Sequence, residues 1–185
     1  MSLLILIAVA LAIALWGVSV YNGLVRRKNI VAEAWSGIEA QLKRRADLIP
    51  NLVETVKGYA GHERATFEDL AKLRSAGQAQ SDVAERAQTE QAITAAIGRV
   101  LAVAEAYPQL RASENFQSLQ KDLAEVEDQI QLARRYYNGA VRDFNVMIEQ
   151  FPSSLIAGRT GFKSAPFFEI DNAADRAVPK VSFAG

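Results

Sequence analysis

From Leu3 to Val20 the chain is apolar apart from Gly17 and Ser19, and no charged side chain occurs before Arg26. Arg26, Arg27 and Lys28 then arrive together. A helix needs roughly 20 apolar residues to cross the hydrocarbon core of a membrane. Residues 1–21 are therefore expected to form a transmembrane anchor in a lipid bilayer, flanked by Arg26, Arg27 and Lys28. Trp16 and Tyr21 fall toward one end of the run, where interfacial aromatic residues sit. A secretory signal would want a charged start, a shorter apolar core and a small-residue cleavage site after it. Ala8-Val9-Ala10 has that spacing but lies inside the run, which favours a retained anchor. A core helix would carry a polar face, and none is present. The positive-inside rule puts the chain after Lys28 in the cytoplasm, with the opposite orientation left open.

About 160 residues follow the anchor, enough for one domain with its own core. Charges balance at 21 against 21, so no global field would recruit nucleic acid. The absence of cysteine removes disulfides, thiolate metal sites and thiol nucleophiles together. With a single histidine as well, no catalytic residue, cofactor, metal or small-molecule substrate is nominated.

The remainder reads as helices. Trp35, Ile38, Leu42, Ile49, Val53 and Val56 follow three-and-four spacing over 22–57, with a kink expected near Asp47 to Pro50. Gly58-Tyr59-Ala60-Gly61 predicts a break. A second helix over 62–76 should end at Gly77. A third, over 81–107, should start at the capping pair Ser81-Asp82 and carry Ile93, Ile97, Val100, Ala104 and Tyr107. The fourth, over 113–150, has the seam Phe116, Leu119, Leu123, Val126, Ile130, Ala133, Tyr137, Val141, Phe144 and Ile148. That is a near-heptad, coiled-coil-like repeat. Short loops between such helices predict an up-down-up-down antiparallel four-helix bundle over 22–150. The fold class is all-α: a transmembrane helix continuing without a spacer into that bundle, then an extended tail over 151–185. In that register, facing positions on the first and last long helices sum to about 171. Arg44 and Arg45 should then meet the acidic cluster Glu125, Glu127 and Asp128, though two solvated faces would look the same in sequence.

Several runs also carry a family resemblance. Tyr21-Asn22-Gly23-Leu24-Val25, Ala34-Trp35, Leu42 to Val53 with its core Arg44-Arg45-Ala46-Asp47-Leu48-Ile49-Pro50-Asn51-Leu52-Val53, and Val56-Lys57-Gly58-Tyr59-Ala60 resemble the LemA family. So do Glu114-Asn115-Phe116, Arg134-Arg135-Tyr136-Tyr137-Asn138, Phe144-Asn145 and Phe151-Pro152. The resemblance covers essentially the whole chain. It implies a single-pass protein of the bacterial cytoplasmic (inner) membrane with a helical-bundle domain and no established enzymatic activity. Members of that family are often encoded near an HtpX-type membrane metalloprotease, or near proteins with repeat-rich, tail-like segments. A magnetosome-associated member points to membrane organisation.

His62-Glu63 begins like a zinc-protease motif, but position 66 is Thr and the second ligand is missing. Glu125 and Asp128 share a helical face that Glu127 does not, and no ExxH pattern completes a di-metal bundle site. The candidates are therefore interaction residues. Pro50 frees the Ala46 carbonyl, and Asp47 and Asn51 flank it either as a polar network or as a docking notch. Tyr21-Asn22-Gly23 nearly repeats as Tyr137-Asn138-Gly139, and both copies could associate protomers or a membrane partner near the bilayer. Phe167-Phe168 marks a tail that docks on its own bundle, on a neighbouring protomer or in the headgroup region. The expected function is a membrane-anchored scaffold that forms a homo-oligomer or organises other membrane proteins, with a monomeric adaptor as the alternative.

Overall fold

The computed structural model describes residues 1–169. Among them are six α-helices: α1 Ser2–Lys57, α2 Arg64–Ala79, α3 Val83–Glu105, α4 Pro108–Arg111, α5 Glu114–Glu149 and α6 Ser153–Thr160. The chain is all-α, but it holds two helices more than the four expected. The described residues form two compact units, one of Met1–Arg45 with Lys121–Phe167, the other of Ala46–Gln120 with Phe168 and Glu169.

Helix α1 passes from the apolar run into the polar chain without a break. It is the one helix among the described residues long and apolar enough to cross a membrane. Leu3, Leu4, Ile5, Leu6, Ile7, Leu11, Ile13 and Leu15 are all more than half exposed. Such a continuous apolar surface has no place in water. From Leu24 onward one face turns inward, with Leu24, Ile38 and Leu42 buried. Helix α5 runs antiparallel to it in the first unit. The Arg45 Nη1 donates to Glu127 Oε2 at 2.6 Å and the Arg44 Nη1 to Glu125 Oε1 at 3.3 Å. Trp35 lies against Tyr137 with ring centroids 5.4 Å apart, and a Cβ on Gly23 would meet Met147 at 2.7 Å. These pairs follow the register that equal helix rise dictates. Of the expected α5 seam, Leu123, Val126, Ile130, Tyr137, Val141 and Phe144 are buried in this unit. The two ion pairs differ in setting. Arg45 is 2% exposed, whereas Arg44 and Glu125 are about half exposed.

The second unit is built on α2 and α3. Asp82 caps α3, its Oδ1 accepting from the Ala84 and Glu85 amides. Helix α2 does not stop at Gly77 as expected. Gly77 is buried inside it, and a Cβ there would meet Ile93 at 3.2 Å and Glu90 at 3.3 Å, so it marks the close approach of α3. Arg86 from α3 donates to both the Gly77 carbonyl and the buried Glu90 carboxylate. Arg99 pairs with Asp69 on the surface. Pro108 opens α4 at a position where its missing amide has no helical partner to lose.

Pro50 does not end α1, which continues to Lys57. The Ala46 carbonyl that Pro50 leaves without its helical donor accepts instead from Arg74 Nε on α2 at 2.7 Å. The expected tail over 151–185 is also corrected. Ser153–Thr160 is helical, and Ser153 Oγ at its start lies within hydrogen-bond reach of the Met147 and Gln150 carbonyls, so it ties α6 to the end of α5. Gly161 closes it in the left-handed region at φ 76°. The Phe162 amide reaches back to the Ala157 carbonyl, a Schellman-type end. The Phe151-Pro152 peptide between α5 and α6 is cis. Residues 162–169 are in neither helix nor strand, and the part of the expected tail holding Pro179 and Phe183 lies outside the described residues.

Two outcomes follow for unfolding in detergent. Glu127→Ala, which removes the carboxylate bonded to the buried Arg45 guanidinium, should destabilise by about 3 kcal/mol, while Glu125→Ala should stay within ~1 kcal/mol. Arg74→Ala should cost about 2 kcal/mol, and distinctly less in a Pro50→Ala background where a backbone amide can again reach Ala46. Equal costs in both backgrounds would contradict the role given to Arg74.

Candidate functional site

The first unit contains a cavity of about 710 Å³ bounded by α1, α5 and the segment after α6. Its α1 wall is Tyr21, Val25, Lys28, Asn29, Val31, Ala32 and Trp35, its α5 wall Tyr137 and Phe144, and its third wall Thr160–Lys163 with Ala165 and Pro166. The α1 positions recur at three and four residues, so helical geometry alone puts them on one face. Beside the cavity, Leu24, Phe144 and Ala157 form a buried cluster, with Val20, Met147, Ile156 and Phe162 packed against it. That cluster holds α6 to the two long helices.

The returning segment is fixed by polar and aromatic contacts. The Tyr137 hydroxyl donates to the Pro166 carbonyl at 2.9 Å. Asn145 acts on both groups of one residue: its Nδ2 donates to the Ala165 carbonyl at 3.0 Å, and its Oδ1 accepts from the Ala165 amide at 2.8 Å. The Asn145 amide thus replaces a strand partner for that stretch of backbone. Phe162 sits edge-on to Tyr21 at 5.9 Å and to Phe144 at 6.2 Å. Burial raises the Tyr137 pKa above its ordinary value, because the phenolate would lose its water. Tyr137 therefore stays a neutral donor across the physiological range.

The two Tyr-Asn-Gly copies come together here through their tyrosines, which both line the cavity and both touch the returning segment. Their glycines differ. Gly23 faces Met147, whereas a side chain at Gly139 would enter open space. Tyr137 is buried, Tyr21 is exposed, and Asn138 is half-buried. Asn22, Arg26 and Arg27 line a separate hollow of about 500 Å³ on α1, and only Lys28 of the basic flank reaches the main cavity. Phe168 is wholly buried and Phe167 is 38% exposed. Asp47, Pro50 and Asn51 are exposed on α1 in the second unit, away from these residues in sequence and in unit. His62 and Glu63 are exposed, and Glu63 precedes α2 without a side-chain capping bond.

Sequence reasoning did not single out Asn145, Phe162, Lys163 or Ala165 for this site. Asn145 follows the seam residue Phe144, and a polar amide beside an apolar seam was the available signal. The other three sit in a segment without helical periodicity. Among the described residues, no group of three or more His, Asp or Glu side chains could hold a metal ion, and the chain has no cysteine. What the site offers is a concave, largely aromatic wall with two lysines.

Release of the returning segment is measurable. Asn145→Ala or Tyr137→Phe should speed proteolytic cleavage within residues 161–169, each with a stability loss of about 1 kcal/mol. Because the folded-state pKa of Tyr137 is raised, its contribution is complete below its ordinary pKa of 10.0 and fades as pH rises through the folded value. Tyr137→Phe should accordingly flatten the alkaline loss of stability above about pH 10. An unchanged alkaline limb would count against this assignment.

A family model described as the LemA family matches residues 34–183. The chain is 26% identical over 184 residues to magnetosome protein MamQ 2 of Paramagnetospirillum magneticum, covering 85% of this chain and 68% of that relative. It is 25% identical over 184 residues to magnetosome protein MamQ of Magnetospirillum gryphiswaldense, with the same 85% and 68% coverage. Protein LemA of Metamycoplasma hominis is 26% identical over 149 residues, covering 80% of this chain and 68% of that relative. The match takes in α1 from Ala34 onward, all of α5 and the returning segment, and by it the chain belongs to the LemA family.

Proposed function

We infer that this protein is a membrane-anchored, non-catalytic scaffold that assembles with copies of itself or organises other membrane proteins. The observation that carries this reading is the continuity of α1 from Ser2 to Lys57. No Gly/Ser-rich stretch of the kind that behaves as a flexible coil interrupts it. A helix that passes directly from the apolar run into a packed unit gives that unit one stance relative to the bilayer. The packing of Ile156 on α6 beside Gly17 adds a second attachment at the anchor. In this reading residues 1–21 span the cytoplasmic (inner) membrane once, and the Arg26–Lys28 flank keeps the polar units on the cytoplasmic side. Family membership and the magnetosome relatives support a membrane-associated structural role.

The surface for assembly is on α5. Leu132, Tyr136 and Val146 are half or more exposed, and Gly139 between them faces open space. Their spacing places them along one outward stripe. A membrane metalloprotease of the HtpX type is a partner class that the scaffold could hold. The monomeric adaptor reading draws instead on Asp47, Pro50 and Asn51, which stay exposed after Arg74 has satisfied the Ala46 carbonyl.

Because the natural chain has no cysteine, single cysteines report contacts cleanly. Tyr136→Cys should crosslink to a dimer in native membranes, Glu68→Cys on α2 should not, and Gly139→Leu should weaken the crosslink severalfold. A lone monomer in mild detergent, with Tyr136→Cys unreactive toward a second copy, would reject the scaffold and favour the adaptor.

A further inference from the structure

The hollow in the first unit has a size and lining that the assembly reading does not use. It measures about 710 Å³, is open to the surface beside a tight apolar cluster, and is of ligand-site size. Its depth is set by its neighbours. Tyr21, at the end of the apolar run, lines it, and Trp35 lies about 21 Å further along α1. Ile156 of α6 would touch a Cβ on Gly17 at 3.7 Å, so α6 sits level with the last turn of that run. Leu155, next to Ile156 on α6, is 60% exposed, as a residue facing lipid rather than water would be.

The chemistry of the walls is divided. Aromatic and apolar groups, Tyr21, Val25, Phe144 and Phe162, line one part, and Lys28 and Lys163 line it from two different elements. Among the described residues lining the cavity there is no carboxylate. We propose that this cavity binds one anionic phospholipid of the adjacent leaflet. Its phosphate lies between Lys28 and Lys163, and an acyl chain runs back past Val25, Phe162 and Tyr21 into the bilayer. A soluble phosphate would leave the aromatic wall without use, and a zwitterionic lipid would leave the two lysines opposite a compensated charge. The depth argument rests on the apolar run of α1 lying in a bilayer and is independent of self-assembly.

The full-length chain in mild detergent tests this by native mass spectrometry, titrated with dioleoyl phosphatidylglycerol, dioleoyl phosphatidylcholine or glycerol 3-phosphate. Trp35 lines the cavity and the chain has one other tryptophan, Trp16. A Trp16→Phe background therefore makes emission a reporter of the site. The expected result is one phosphatidylglycerol per chain, bound on the order of tenfold more tightly than phosphatidylcholine, with a matching change in Trp35 emission. The paired change Lys28→Gln and Lys163→Gln should abolish that preference, while Arg26→Gln with Arg27→Gln, equal in charge, should retain it. Equal binding of phosphatidylcholine, or equal loss from the two paired variants, overturns the proposal. So does an emission change with glycerol 3-phosphate alone, which would mark a soluble-phosphate site. Flotation of the same chain with vesicles reports anchoring separately, so failure of the anchor and failure of the lipid site are distinguishable.

Discussion

Helix α1 has to satisfy two solvents along one uninterrupted backbone, and the other elements of the first unit answer to that demand. Over its first turns every face is apolar and exposed, which only a hydrocarbon environment tolerates. Beyond Tyr21 the same helix narrows to a single buried face, and α5 covers it. The antiparallel seam then runs to Arg45, whose buried guanidinium is held by Glu127. A buried charge is costly unless paired. The pair therefore favours one register of α1 against α5, because a slip would draw the two charges apart. The exposed pair Arg44–Glu125 contributes little energy but falls into place once that register is chosen.

Polar backbone groups displaced from ordinary helical bonding are repaired by arginines in the second unit. Pro50 orphans the Ala46 carbonyl, and Arg74 supplies the donor. Arg86 adds a donor to the Gly77 carbonyl, which also accepts from the Gln80 amide at the end of α2, while holding the buried Glu90. In both cases the guanidinium comes from a neighbouring helix, so local backbone satisfaction becomes a condition on tertiary packing. The returning segment in the first unit repeats the principle with an amide, where Asn145 pairs both groups of Ala165. That pairing creates a walled cavity from a segment with no secondary structure of its own. The first unit thereby combines an unbroken helix from the apolar run, an outward face of α5 bearing Leu132, Tyr136 and Val146, and a lysine-bearing hollow.

Much of this was legible from spacing. Periodicity located the long helices to within a few residues, Asp82 announced its cap, and the α5 seam follows directly from the heptad-like run. Equal helix rise was sufficient to place Arg45 near Glu127, because helix length is a local quantity. Helix α6 was obscured by Gly158 and Gly161, although the second of these is its C-cap. Gly77 was misread in the opposite sense, as a terminator, since a glycine that ends a helix and one that admits a neighbour look alike in one dimension. The site was half legible: Tyr21, Lys28 and Tyr137 stood out, but Asn145, Phe162 and Lys163 acquire meaning only from what lies opposite them.

By itself, then, the sequence determined the apolar run, the continuity of the helix beyond it, the all-α class and the family, because each depends on residues close together along the chain. Tertiary structure alone decided that Arg74 replaces the donor lost at Pro50, that the chain after α6 turns back onto α1 and α5, and that two distant lysines share one hollow. Those outcomes depend on contacts between residues tens of positions apart, and no local periodicity encodes a partner that another element must bring.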